Sequence, residues 1–155
     1  MKILMVCLGN ICRSPLAEGI MQDVIDKEGL DWEVDSAGTG SWHIGNPPDP
    51  RSRATAKKHG LSIDRQRARQ FSKKDFDHFD LILAMDQSNY DDIIALASNT
   101  EEKSKVQKIL DYTDLPNKDV PDPYWDDNGF EQVYSLLDNA CREVVKEHAL
   151  KTIKN

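Results

Sequence analysis

The chain is organised around the segment Val6-Cys7-Leu8-Gly9-Asn10-Ile11-Cys12-Arg13-Ser14. The apolar residues 2–6 that lead into it predict a buried strand. Ser14 and Pro15 predict the start of a helix, with Ser14 as N-cap and Pro15 at the first helical position, where its missing N–H costs nothing. A tight loop between strand and helix directs backbone N–H groups and a helix N-terminus at one point, which is an arrangement that binds anions.

The loop also carries a thiol and a guanidinium. The five residues between Cys7 and Arg13 allow the loop to curl around a tetrahedral oxyanion. Arg13 can bind two oxygens at once, and its positive field favours the thiolate form of Cys7. Gly9 and Asn10 tolerate the left-handed backbone that such a loop requires, and the Ser14 hydroxyl can donate to the Cys7 sulfur. The predicted phosphate-binding residues are Leu8, Gly9, Asn10, Ile11, Cys12, Arg13 and Ser14.

A second candidate group lies far along the chain, at Asp122. It stands between Pro121 and Pro123, which hold it extended on a stiff loop. An aspartate beside a proline is most often part of an ordinary turn. Together with Cys7 and Arg13, however, it favours a general acid, because displacing an alkoxide or phenolate requires a proton donor opposite the nucleophile.

Strands and helices alternate along the chain. Residues 2–7, 32–36, 79–85 and 105–110 are predicted strands, and helices are predicted from Pro15 to near Gly29, over 54–59, after Asp86 and from Gly129. This order predicts one α/β domain over 1–155, a three-layer sandwich with an approximately four-stranded parallel sheet flanked by helices on both faces. The carboxyl ends of parallel strands share one edge, which brings Cys7 and Asp122 together. Asp86 is a predicted helix cap that could also orient Arg13.

Composition narrows the class of protein. The net charge of −7 argues against a nucleic-acid binder. No apolar run approaches the ~20 residues of a membrane span, so no membrane insertion is expected. Three cysteines do not form a disulfide framework, and a reactive thiol suits a reducing compartment, so a cytoplasmic protein is expected. Its expected assembly is a monomer or weak dimer. No His, Cys and carboxylate cluster has metal-ligand spacing, and neither a metal nor another cofactor is expected.

These motifs resemble those of the low-molecular-weight protein tyrosine phosphatases. Residues 7–14 resemble the family's phosphate loop, and Asp122-Pro123-Tyr124-Trp125 resembles its general-acid loop. The segments 36–39 and 45–48 match intermediate motifs, so the resemblance covers nearly the whole chain in the family's order. It implies protein phosphotyrosine as the substrate. It also implies that Ser36 and His59 support Asn10 behind the phosphate loop.

The resulting hypothesis is a phosphomonoester hydrolase that works through a phosphocysteine intermediate. Cys7 is the nucleophile, Arg13 stabilises the transition state, and Asp122 is the acid and then the base. Tyr124 and Trp125 are predicted to line the wall of the site. Trp42, in the polar loop 39–53, either lies at the rim of the site or folds back onto the surface.

Three alternatives remain at this point. A protein-arginine phosphatase would share the scaffold, but the resemblance would then predict Thr at position 11, where this chain has Ile11. Arsenate reductases of this fold use further cysteines in the second half, where this chain has only Cys141, a predicted core residue. A non-catalytic phosphate-binding or redox-sensing module would show no turnover of an aryl phosphate.

Overall fold

A parallel four-stranded sheet forms the centre of the molecule in the computed structural model, which describes residues 1–154, with side chains to residue 150. The strands are β1 (Lys2–Cys7), β2 (Glu33–Gly38), β3 (Leu81–Ala84) and β4 (Val106–Lys108), in the order β2-β1-β3-β4. β1 after Lys2, and β3 throughout, are apolar because both faces of the sheet are covered.

Helices cover both faces of this sheet. They are α1 (Arg13–Lys27), α2 (Pro50–Lys58), α3 (Asp75–His78), α4 (Gln87–Leu96), α5 (Thr100–Ser104) and α6 (Phe130–Lys154), with 3₁₀ turns at Ile109–Tyr112 and Pro123–Trp125. Ile3 and Met5 of β1 face α1 and α6, whereas Leu4 and Val6 face α4 and the buried phenylalanines of residues 71–79. The predicted three-layer α/β fold is confirmed. No helix within residues 1–154 combines the length and apolar character needed to cross a membrane.

Several predicted boundaries were wrong, and local interactions explain them. α1 begins at Arg13 rather than Pro15, and its N-cap is Cys12, without a side-chain capping bond. The Ser14 hydroxyl is turned to the interior of the phosphate loop, so it does not cap the helix. α2 begins at Pro50 rather than residue 54, because Asp49 caps it by accepting a hydrogen bond from the backbone N–H of Arg51. The predicted fourth strand, 105–110, ends early and turns into a 3₁₀ helix.

Candidate active site

The end of β1 places Cys7 at the start of the loop 8–12, and the Asn10 N–H of this loop turns toward the Cys7 sulfur. The Cys7 Sγ atom accepts a hydrogen bond from the backbone N–H of Asn10 at 3.3 Å and lies 3.1 Å from Ser14 Oγ. The left-handed conformation falls on Asn10, with φ of 57°, and not on Gly9. Gly9 lies close to His43 instead, and a Cβ there would be 3.1 Å from the His43 ring, which would have to shift slightly.

A buried hydrogen-bond network holds Asn10 in this conformation. Its side-chain amide donates to Ser14 Oγ at 2.8 Å and to Ser36 Oγ at 3.0 Å, and it accepts from the backbone N–H of Arg69 at 3.0 Å. Ser36 in turn donates to Glu18 Oε1 at 2.7 Å. Burial raises the pKa of Glu18 to about 7. Ser14 and Ser36 therefore lie where a role in supporting the loop requires them.

The prediction that His59 supports Asn10 was wrong. His59 is the C-cap residue of α2, and its Nε2 lies 2.9 Å from Glu131 Oε2. Its ring stacks on Tyr134 with centroids 3.7 Å apart, so its contacts are with α6. Glu18 occupies the supporting position instead. The sequence held a signal for it, because Glu18 follows Ser14 by four residues and so lies on the same face of the helix.

Arg13 is fixed in place although its side chain is almost fully buried. Its Nη1 atom donates to Asp86 Oδ2 at 2.7 Å and to the carbonyl oxygen of Val120 at 3.0 Å, and Nη2 lies 3.7 Å from Asp122 Oδ2. Burial alone would lower the pKa of Arg13, but the negative charges of Cys7 and Asp86 outweigh it and raise the pKa. Asp86 therefore both caps α4, as predicted, and orients Arg13.

The Asp122 carboxyl reaches the same place from the residue that precedes the 3₁₀ turn Pro123–Trp125. Its backbone is extended, with φ of −83° and ψ of 111°, and Oδ1 accepts a hydrogen bond from the backbone N–H of Tyr124 at 3.0 Å. That bond leaves Oδ2 on the Arg13 side. The carboxyl is about one-third exposed, which gives it access to water as well as to the cavity.

These groups line one cavity of about 160 Å³. Its walls are formed by Cys7, Leu8, Gly9, Ile11, Cys12, Arg13, Trp42, His43, Asp122, Tyr124 and Trp125. Trp42 and Trp125 stand at its mouth with 71% and 85% of their surfaces exposed. The Trp42 ring also lies against Gly40, where a Cβ would come within 2.1 Å of it, so Trp42 both folds back on its loop and lines the rim. Sequence reasoning missed His43.

Comparisons with known proteins identify the family. A sequence model described as low molecular weight phosphotyrosine protein phosphatase matches residues 2–154. A putative low molecular weight protein-tyrosine-phosphatase of Synechocystis sp. is 50% identical over 145 residues, covering 91% of this chain and 92% of the relative. The chain therefore belongs to the low molecular weight phosphotyrosine protein phosphatases. Members of this family are cysteine-based phosphatases, which confirms the prediction of such an enzyme.

Solved structures agree in fold. The crystal structure of a protein tyrosine phosphatase from Entamoeba histolytica, with Hepes in its active site, superposes with a TM-score of 0.92 at 38% identity. The match covers 98% of this chain and 99% of that one. A Drosophila arginine phosphatase also superposes, with a TM-score of 0.90 at 35% identity over 96% of this chain and 98% of that one. The fold alone therefore does not distinguish a tyrosine phosphatase from an arginine phosphatase.

Proposed function

We propose that this protein hydrolyses phosphotyrosine in proteins, with Cys7 as the nucleophile, Arg13 as the stabiliser of the transition state and Asp122 as the general acid and base. One observation carries the proposal. The sulfur, the guanidinium and the carboxyl line the same cavity, with the sulfur at its floor. A phosphate group that enters this cavity meets a nucleophile, a bidentate cation and a proton donor together.

In the first step, the Cys7 thiolate attacks phosphorus and an S–P bond forms. The bond between phosphorus and the tyrosine oxygen breaks, and that oxygen takes a proton from Asp122. Arg13 and the backbone N–H groups of residues 8–14 bind the equatorial oxygens, where charge develops in the transition state. The products of this step are free tyrosine in the protein substrate and a phosphocysteine.

In the second step, the Asp122 carboxylate takes a proton from a water molecule, and the water oxygen attacks phosphorus. The S–P bond breaks, the electron pair returns to the Cys7 sulfur, and inorganic phosphate is released. The N–H of Asn10 and the hydroxyl of Ser14 are in place to stabilise the departing thiolate. The partial exposure of Asp122 supplies the path by which water enters.

The shape of the cavity supports phosphotyrosine over shorter phosphoamino acids. A phosphotyrosine ring is long enough to reach Cys7 between Trp42 and Tyr124, whereas phosphoserine would leave these walls unfilled. Burial and aromatic contact contribute on the order of 1–3 kcal/mol per ring. Ile11 lines the cavity and presents an apolar surface, which disfavours the charged, planar head of phosphoarginine.

Peptides of matched sequence test this order of substrates. The kcat/KM is expected to be highest for phosphotyrosine, then phosphoarginine, then phosphoserine. Trp42→Ala should reduce phosphotyrosine turnover mainly through a higher KM, because the ring touches the substrate and not the reacting atoms. Equal or faster hydrolysis of phosphoserine would refute the proposal that Trp42 and Tyr124 select the phosphotyrosine ring. A preference for phosphoarginine would favour the arginine phosphatases, and no turnover of any aryl phosphate would favour a binding module.

The role of Asp122 is tested by how strongly the rate depends on the leaving group of the substrate. Asp122→Asn removes the proton donor but keeps the shape of the side chain. Phenyl phosphate needs a proton on its leaving oxygen, so its kcat/KM, which reports the first step, should fall by roughly 10²–10³-fold. The nitrophenolate of para-nitrophenyl phosphate leaves with less help, so its kcat/KM should fall less. A plot of rate against leaving-group pKa should steepen, and an unchanged slope would remove Asp122 from this role.

The compartment and the oligomeric state of the enzyme form part of the same proposal. Cys7, Cys12 and Cys141 are all free thiols. A nucleophilic sulfur must stay reduced to work, so we place the enzyme in the cytoplasm. A monomer or weak dimer remains our prediction for its assembly, and sedimentation over a range of protein concentrations tests it.

A further inference from the structure

The segment that carries Asp122 has few connections to the rest of the molecule. Within residues 121–129 the backbone bonds are local, from Asp126 N–H to the Pro123 carbonyl and from Gly129 N–H to the Asp126 carbonyl. Among the side chains described, to residue 150, Arg51 alone donates hydrogen bonds to this segment from outside it. Arg13 contacts the Asp122 carboxyl at 3.7 Å and donates to the Val120 carbonyl before it, so Arg51 is what holds the segment on the far side of Asp122.

Arg51 contacts the segment and the start of α6 through an ion pair, a hydrogen bond to a backbone carbonyl and cation–π contacts. Its Nη1 atom donates to Asp127 Oδ1 at 2.5 Å, and Nη2 donates to the carbonyl oxygen of Tyr124 at 3.1 Å. Its guanidinium carbon lies 5.6 Å from the centre of the Tyr124 ring and 4.9 Å from that of Phe130. These contacts begin two residues beyond Asp122 and end at the start of α6.

The other side of the same guanidinium is tied to the phosphate loop through Asp49. Arg51 Nε and Nη2 donate to the two oxygens of the Asp49 carboxylate at 3.0 and 2.9 Å. These hydrogen bonds lower the pKa of Asp49. The Asp49 backbone N–H donates to the carbonyl oxygen of Ile11 at 2.8 Å, and Ser52 Oγ donates to that of Cys12 at 3.0 Å. Arg51 therefore connects the nucleophile's loop with the acid's segment.

We infer that Arg51 is a positioning residue that holds Asp122 over the cavity. The inference rests on the proposed function, because it assigns Arg51 a role only through the acid. Arg51 is not among the residues that line the cavity, so it does not touch the phosphate. General acid catalysis requires the donor within hydrogen-bond reach of the leaving oxygen, and a displacement of about 1 Å can cost on the order of 10²-fold in rate.

The test is Arg51→Met, which keeps a long apolar stem and removes every donor. The kcat/KM for phenyl phosphate should fall roughly 10–100-fold and that for para-nitrophenyl phosphate should fall less. The inhibition constant of inorganic phosphate should stay within about 2-fold, because the phosphate loop is intact. Arg51→Lys should recover part of the loss through its charge. The matched control is Arg142→Met, which removes an exposed ion pair with Asp138 on α6 and should change neither constant.

A double-mutant cycle separates this role from general support of the fold. In the Asp122→Asn background, Arg51→Met should add less than about 2-fold, because the group that it positions is already lost. Losses that multiply, or weaker phosphate inhibition in Arg51→Met, would overturn the inference. If Asp122→Asn itself leaves the leaving-group slope unchanged, the assignment of the acid fails instead.

A gentler variant guards against misfolding of Arg51→Met. Asp127→Asn weakens one Arg51 contact at a side chain that is 83% exposed, so it leaves the buried structure alone. Its loss of activity should again be larger for phenyl phosphate than for para-nitrophenyl phosphate, but smaller overall than that of Arg51→Met. If Asp127→Asn and Arg51→Met both leave the slope unchanged, the inference is wrong.

Discussion

Cys7→Ser is expected to abolish turnover, with a loss in kcat on the order of 10⁴-fold or more. A serine hydroxyl at this position is not ionised, and Ser14 and the Asn10 N–H stabilise a thiolate there rather than deprotonate an alcohol. Binding of inorganic phosphate should persist, because Arg13 and the loop N–H groups remain. Steady-state kinetics and calorimetric titration with phosphate measure the two effects separately.

Cys141→Ser is the matched control for this prediction. Cys141 is fully buried on α6 among core residues, and its sulfur lies 3.8 Å from the carbonyl oxygen of Ala17. The same change of atom there should leave kcat within about 2-fold while lowering thermal stability, because it buries a hydroxyl in an apolar core.

Appreciable turnover by Cys7→Ser, beyond that of a mock purification, would end the hypothesis of a covalent intermediate.

The fold could be predicted because its signals are continuous in sequence. Residues 3–6 and 81–84 are apolar throughout, which is typical of strands covered on both faces, and each is followed by a helix. Predicted helix boundaries were less accurate where a polar side chain could either cap a helix or form a contact elsewhere. Ser14 precedes a proline and resembles a cap, but its hydroxyl is used inside the phosphate loop, which no local pattern reveals.

The site was predictable to the extent that its residues lie in short motifs. Cys7 and Arg13 share one loop, and Asp122 follows from the need for an acid at the same sheet edge. The supporting groups come from elements that meet only in the folded chain. Arg51 was missed for this reason, whereas Glu18 was missed although it lies one helical turn after Ser14 on α1. His59 was assigned from resemblance although its partners are Glu131 and Tyr134.

Arg13→Lys is expected to lower kcat/KM by roughly 10³-fold and to weaken phosphate binding as well. The planar guanidinium of Arg13 bonds Asp86 and the Val120 carbonyl with one nitrogen and so leaves its other N–H groups free for two phosphate oxygens. A lysine ammonium is a compact point charge that cannot reproduce this geometry. The loss should therefore appear both in kinetics and in the dissociation constant of inorganic phosphate.

The same substitution should also destabilise the fold. The Val120 carbonyl is buried and would lose its Arg13 partner, at a cost of about 1–3 kcal/mol. Arg142→Lys, on the exposed face of α6, is the matched control and should change neither activity nor melting temperature. Because Cys7→Ser keeps phosphate binding and Arg13→Lys loses it, the pair of variants separates the nucleophile from the cation that binds the substrate. Retention of full phosphate affinity by Arg13→Lys would show that the loop N–H groups alone bind the anion.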